Sequence, residues 1–380
     1  MVRLINISIL LIFSLIVSPA IHAFTPNYSI KLSNPYSDFE SNGDLLYSLN
    51  HFSHQVHPTT AVELSSSIGI TMFLSYISHE MGHINVGQRY GKVSTIFPYF
   101  RKEIHYIPTV EQYIQETAAG PNQQELSAHI FWKKSLSNTD FHTSFGFLLN
   151  KLTDGIYFFL TKDIEYWDRG FDAPYDYYNV FGDFNFYISL LNRSGIKITK
   201  ESLLSDILIA DLLTVSVWDH FGYWHQALLG NPKASYTPTT LSFDRYKISM
   251  PYISSFLADN GLFILGSVLI LRSDDNKPFL ELTLGFPSPW FSKNKVHTNH
   301  FGIIYTFKLT DFLLLEPFVA YDYDTDKQVF NGRSAGLRIY QTFNEDVGLT
   351  YQLETNQNDI IENQIKHKAN GFQLSLKLDL

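Results

Sequence analysis

After Gly230-Asn231-Pro232 the apolar residues of this chain stop recurring at helical spacing and begin to alternate with polar ones, and they do so to the end. Phe372, Leu374, Leu376, Leu378 and Leu380 fall on one side of a strand, against Gln373, Ser375, Lys377 and Asp379. Val347, Leu349, Tyr351 and Leu353 repeat the arrangement, as do Phe301, Ile303, Tyr305, Phe307 and Leu309, and Leu280, Leu282, Leu284 and Phe286. Strand side chains point to opposite faces in turn, so this period predicts an antiparallel sheet with two unlike environments. The preceding residues carry helical patterns, which makes the chain α+β, with the change of period marking a boundary between 24–231 and 232–380.

The connections carry a second pattern. They are long at 356–370, short at 344–346, long at 325–331, short near 310–311, long at 287–298 and short at 273–277. Outer-membrane barrels alternate in this way, with tight turns on the periplasmic side and longer loops outside, and strands of about nine residues suffice to cross when tilted. Adding strands at 261–272 and 236–250 gives an up-and-down barrel of about eight strands. An even count places residues 24–230 in the periplasm with the C-terminus. A soluble barrel or sandwich is the alternative, because its strands alternate for the same reason. Leu380 stands where outer-membrane barrels typically end in an aromatic residue, and eight strands leave little room for a pore, so the expected role is an anchor.

Residues 1–23 fit an exported chain: Arg3, an apolar core from Leu4 to Val17, and small residues that allow cleavage after Ala20 or Ala23. A retained N-terminal anchor is the other reading. With no cysteine in 380 residues, disulfides and thiolate metal sites are excluded, so any zinc must be held by nitrogen and oxygen. A net charge of −9 without a basic block argues against a nucleic acid partner.

The chemistry lies in Ser65–Gly87, where His79-Glu80-Met81-Gly82-His83 ends a mostly apolar, uncharged run. Histidines four apart on a helix share a face and can reach one metal ion, while the intervening glutamate is placed as a base toward the metal's water. Zinc makes such water acidic near neutral pH, and a neighbouring carboxylate can take its proton as it attacks a carbonyl. A catalytic zinc usually has three protein ligands. Glu125, after the breaker Gly120-Pro121, opens a helix-compatible segment that could bring it toward the first helix, and Glu116 is a further contender.

Together the two motifs resemble the gluzincins, zinc metallopeptidases in which H-E-x-x-H is followed on a later helix by a glutamate ligand, often as Glu-x-x-x-Asp. The resemblance covers residues 65–135 and implies zinc on His79, His83 and Glu125 with Glu80 as general base. The second motif reads Glu125-Leu126-Ser127-Ala128-His129 here, and His129 stands in place of the aspartate. An imidazole there could orient a ligand or bind the metal itself.

Other polar groups read as ordinary surface or packing. His51, His54 and His57 suit a solvated helix or loop. His220 or His225 could contact an oxyanion, but each lies beside a tryptophan on a face that looks packed. Gly332-Arg333-Ser334-Ala335-Gly336 matches a nucleophile-elbow pattern but falls in the alternating region, without the strand-to-helix turn that exposes the serine. The expectation is a zinc-dependent peptidase acting on proteins or peptides in the periplasm, held by an outer-membrane barrel. The alternative is a non-enzymatic outer-membrane protein whose helical part binds a partner around a structural metal.

Overall fold

The computed structural model describes residues 30–32, 43, 46, 47, 49, 61–90, 93–96, 101–104, 109–137, 140–160, 182–229, 236–259, 261–274, 277–288, 298–310, 312–324, 327–342, 347–357 and 371–378. The expected signal segment and His51, His54 and His57 lie outside them. The helical part contains α1 (Ala61–Tyr90), α2 (Val110–Ser135), α3 (Phe141–Leu160), α4 (Gly182–Arg193), α5 (Lys200–Leu213) and α6 (Val215–Leu228). A strand β1 (Ile30–Leu32) precedes them, and the hairpin β2 (Val93–Ile96) and β3 (Arg101–Ile104) joins α1 to α2. Among the described residues no helix is long and apolar enough to cross a membrane, which says nothing of strands.

Local chemistry sets the helix ends. Thr109 caps α2 with its hydroxyl on the Gln112 amide, and the Gln112 side chain returns to the Thr109 amide. Thr199 and Ser202 make the same reciprocal cap on α5. Between α4 and α5, Gly195 turns the chain with φ 90°, and Ile196 N–H reaches back 2.9 Å to the Leu191 carbonyl. Gly120-Pro121 does not break the chain into two helices: α2 runs through it.

The second part is one antiparallel sheet. Its strands are β4 (Thr240–Phe243), β5 (Tyr246–Ser249), β6 (Tyr252–Ala258), β7 (Gly261–Arg272), β8 (Pro278–Pro287), β9 (Thr298–Tyr305), β10 (Phe307–Thr310), β11 (Leu313–Asp324), β12 (Val329–Thr342), β13 (Val347–Gln357) and β14 (Gly371–Leu378). The order is β1-β14-β13-β12-β11-β9-β8-β7-β5-β4, with β6 also beside β7 and β10 beside β11. The chain is therefore α+β, as its two periods indicate, but the expected barrel is corrected: the sheet is open, with no pairing between its first and last edges among the described residues. At β6, which lies off that path beside β7, the outer backbone groups are taken by helical side chains. Asn122 Nδ2 donates to the Leu257 carbonyl at 2.9 Å and its Oδ1 accepts from the Leu257 amide at 2.8 Å. Thr214 Oγ1 accepts from the Ile253 amide at 3.2 Å, and Lys151 Nζ donates to the Ile253 carbonyl at 2.8 Å. A strand cannot close on an edge already satisfied in this way.

Apolar cores join the helices to β6 and β7. Val86, Ala119 and Leu126 pack with Phe256, Ala258, Phe263 and Leu265. Phe131, Trp132 and Phe147 pack with Tyr252, Leu269 and Leu271. Farther along, the two faces of the sheet differ in an unusual sense. Glu281, His300, Asp322, Ser334 and Arg338 are buried on the inner face, while Leu284, Phe286, Phe301, Tyr321 and Leu353 are exposed on the outer one. Paired positions carry the outer row without a break from Leu241 through Ile248, Ile270 and Leu280 to Tyr305.

Candidate metal centre

Two helices must approach closely before the histidines of α1 can meet anything on α2. Gly82 allows it, because a methyl group there would collide with the Ala119 carbonyl. Opposite it, Gly120 leaves open the space in front of both imidazoles; a Cβ at 120 would strike Nε2 of His83 and of His79. Pro121 removes the amide that would bond the Thr117 carbonyl and loosens that turn. On the same turn, the Glu116 carbonyl accepts from His83 Nδ1 at 2.7 Å.

That bond fixes a tautomer. A carbonyl only accepts, so His83 carries its proton on Nδ1 and presents a lone pair at Nε2. His79 Nδ1 is 2.8 Å from Gln124 Oε1 and is oriented in the same way. The two Nε2 atoms then face each other at 3.1 Å. A third group arrives from the first turn of α4, where Asp183 Oδ2 lies 2.9 Å from His79 Nε2 and 3.4 Å from His83 Nε2. Two nitrogen lone pairs and a carboxylate oxygen directed at one space repel each other unless a cation or proton sits among them. One ligand atom from each of His79, His83 and Asp183 lies within 4.8 Å of the others. This donor set, with the gap at Gly120, fits a divalent ion of the zinc class.

The electrostatics agree. Burial lowers the His79 pKa, but the hydrogen bond and charge of Asp183, with Glu80 and Asp154, raise it to about 9. Burial raises the Asp183 pKa, and the two imidazoles outweigh it and hold the carboxyl well below the usual range. Glu80, the intervening residue of the motif, is half-buried and accepts a hydrogen bond from Tyr76, one turn earlier. Partial burial and the Glu80 carboxylate push the Tyr76 hydroxyl up to about 12, so it stays protonated and donates at neutral pH.

Glu125 and His129 are elsewhere. The Glu125 carboxylate is buried against Lys151 Nζ at 2.7 Å and accepts from the Tyr252 hydroxyl at 3.0 Å. Lys151 also pairs with Asp211 at 3.0 Å. Burial lowers the lysine's pKa, but Glu125 and Asp211 raise it further and keep it charged. His129 packs against both Trp132 and Tyr252, whose rings also stack on each other, with Nε2 3.3 Å from Glu281 on the sheet. Glu116 contributes its backbone carbonyl to His83. His220 is buried against Ser144, Phe147 and Tyr236, and His225 is exposed on α6. Ser334 is buried in β12 opposite Ala320.

The sequence reading missed Asp183, Gln124, Gly120 and Tyr76. Only Tyr76 had a signal, at i−4 from Glu80 on one helix face. No protein-family model, curated protein or solved structure matches the chain.

Proposed function

We propose that this chain is a zinc-dependent peptidase of the bacterial periplasm, acting on proteins or peptides and held at the outer membrane by its sheet. The observation that carries the reading is the convergence of His79 Nε2, His83 Nε2 and Asp183 Oδ2 over the side-chain gap at Gly120. Zinc bound there would polarise a scissile carbonyl and acidify water. His79 and His83 would hold the ion through Nε2, with Gln124 and the Glu116 carbonyl fixing their rings. Asp183 would supply the anionic ligand. Glu80 takes a proton from the attacking water as the new C–O bond forms, then delivers it to the amine as the C–N bond breaks. Tyr76 holds the Glu80 carboxylate by its hydrogen bond.

The membrane part of the proposal rests on the sheet. Glu281, His300, Asp322 and Arg338 lie inside, while aromatic and aliphatic groups make up most of the outer face, where Arg333 is exposed near the start of β12; a largely apolar outer face is costly in water and favourable in lipid.

Metal analysis of the purified full chain, with Glu80→Gln and Asp183→Asn tested for casein cleavage and self-cleavage, examines the enzyme reading. Bound zinc in the unaltered chain and in Glu80→Gln, with activity lost in both variants, supports it. A second reading, a structural metal in a non-enzymatic protein, is favoured by the low side-chain exposure of His79, His83 and Asp183, at 12%, 6% and 17%. Zinc that is present while Glu80→Gln changes nothing selects that reading.

A further inference from the structure

The helical half carries its own apolar surface, at the corner where α5 turns into α6. Leu208, Ile209, Leu212 and Leu213 are exposed at the end of α5, and Trp218 and Phe221 at the start of α6. Thr214 makes the corner by leaving helical geometry, with ψ 101°, and the Trp218 indole N–H donates to the Leu212 carbonyl at 2.8 Å, so the ring is pinned over the bend. Between Ile207 and Phe221 the ionisable groups are Asp211, Asp219 and His220. Asp211 faces inward to Lys151, His220 is buried, and Asp219 accepts from the amide and hydroxyl of Thr239 at 2.8 and 2.7 Å. The exposed surface of the corner therefore presents no unengaged charge.

The bond from Asp219 to Thr239 also joins the corner to the sheet, because Thr239 immediately precedes β4. Leu241 and Phe243 of β4 are exposed and begin the outer apolar row that runs across β5, β7, β8 and β9. We infer that the α5–α6 corner is a second membrane contact, lying in the interfacial layer of the same bilayer that receives the outer face of the sheet. The inference rests on the membrane reading of the sheet given above. The occupant is lipid because the corner continues a face whose polarity is inverted. An aromatic residue with its N–H satisfied internally, beside aliphatic side chains, suits the boundary between headgroups and acyl chains. The helical half is then tethered at two places, and the metal centre is held close to the bilayer surface.

The absence of cysteine allows a direct test on the full chain. Leu213→Cys, Leu284→Cys and Ser194→Cys, each labelled with an environment-sensitive fluorophore, are reconstituted into phosphatidylethanolamine and phosphatidylglycerol vesicles carrying nitroxide lipids. Position 213 is expected to be quenched about twofold or more by shallow nitroxides, 284 by deeper ones, and 194 by neither. Quenching at 284 without quenching at 213 overturns the corner contact and leaves the sheet reading standing. Quenching at neither removes both. An apolar signal at 213 that appears without lipid and grows with protein concentration shows a second copy of the chain as occupant, and also overturns the inference.

Discussion

An alanine at position 120 would place a methyl group against Nε2 of both His79 and His83 while leaving every hydrogen-bonding group of the site intact. Gly120→Ala is therefore expected to reduce metal content from about one zinc per chain to near zero, measured by elemental analysis. Asp183→Ala should weaken zinc binding by about 100-fold or more, since even residues that only orient ligands cost 10–100-fold, whereas Glu125→Gln should keep the metal. Competition with a chromophoric chelator measures both. The histidine pair was legible because a spacing of four on a helix fixes a common face whatever the tertiary structure. Asp183 was not, because an aspartate in the first turn of a helix is what any helix start favours. Nothing local distinguishes it from an ordinary cap a hundred residues from its partners. His220 makes a different prediction at this scale. Burial lowers its pKa from 6.5 to about 3. Between those values the unfolded chain binds a proton that the folded chain does not, so His220's contribution is complete above about pH 6.5 and falls as pH falls toward 3. Denaturant midpoints should show His220→Gln losing stability less steeply with acid than the unaltered chain, by up to about 1.4 kcal/mol per pH unit.

At the scale of elements, two departures from the sequence pattern have physical causes. Gly120-Pro121 reads as a helix boundary, yet α2 continues because residues on both sides are buried in shared cores, and the neighbouring Glu116 carbonyl is held by His83. Strand β6 went unnoticed because Tyr252–Ala258 does not alternate. Nearly every residue in it is buried, as happens when both faces of a strand are covered. The same strand is covered on its free side by the helices. Lys151 binds its edge at Ile253 and, through Glu125 and Asp211, ties α2, α3 and α5 to it. Lys151→Met leaves two buried carboxylates without their cation and should cost about 3–5 kcal/mol in unfolding free energy. The triple variant Lys151→Met, Glu125→Gln, Asp211→Asn should recover part of that loss. If the triple variant is less stable than Lys151→Met alone, the charges are not the reason the cluster holds the edge.

For the whole molecule, the alternation of the C-terminal third was legible and the environment of each face was not, because a period of two is the same whether water or lipid lies outside. The arrangement of the buried groups is what supports the proposal of lipid. Arg338 Nη1 donates to Glu316 Oε1 at 2.8 Å and His300 Nδ1 lies 2.8 Å from Asp322 Oδ1 on the inner face, while Glu281 pairs with Lys133 of α2, so these inner charges are partnered within the protein. Outside, Leu284 is 59% exposed between the neighbouring strands. Replacing an exposed leucine by arginine on a water-facing sheet is close to neutral and usually aids solubility. Near the middle of a bilayer it costs about 2–4 kcal/mol, and less toward the interface. Leu284→Arg is thus expected to destabilise the chain in vesicles by this amount relative to detergent-free soluble refolding. Leu241→Arg, in short edge strand β4 next to the α5–α6 corner, should cost less. Folding yield against urea in phosphatidylethanolamine and phosphatidylglycerol vesicles reads the difference. A neutral Leu284→Arg would place the outer face in water and leave the zinc site to be explained without the membrane.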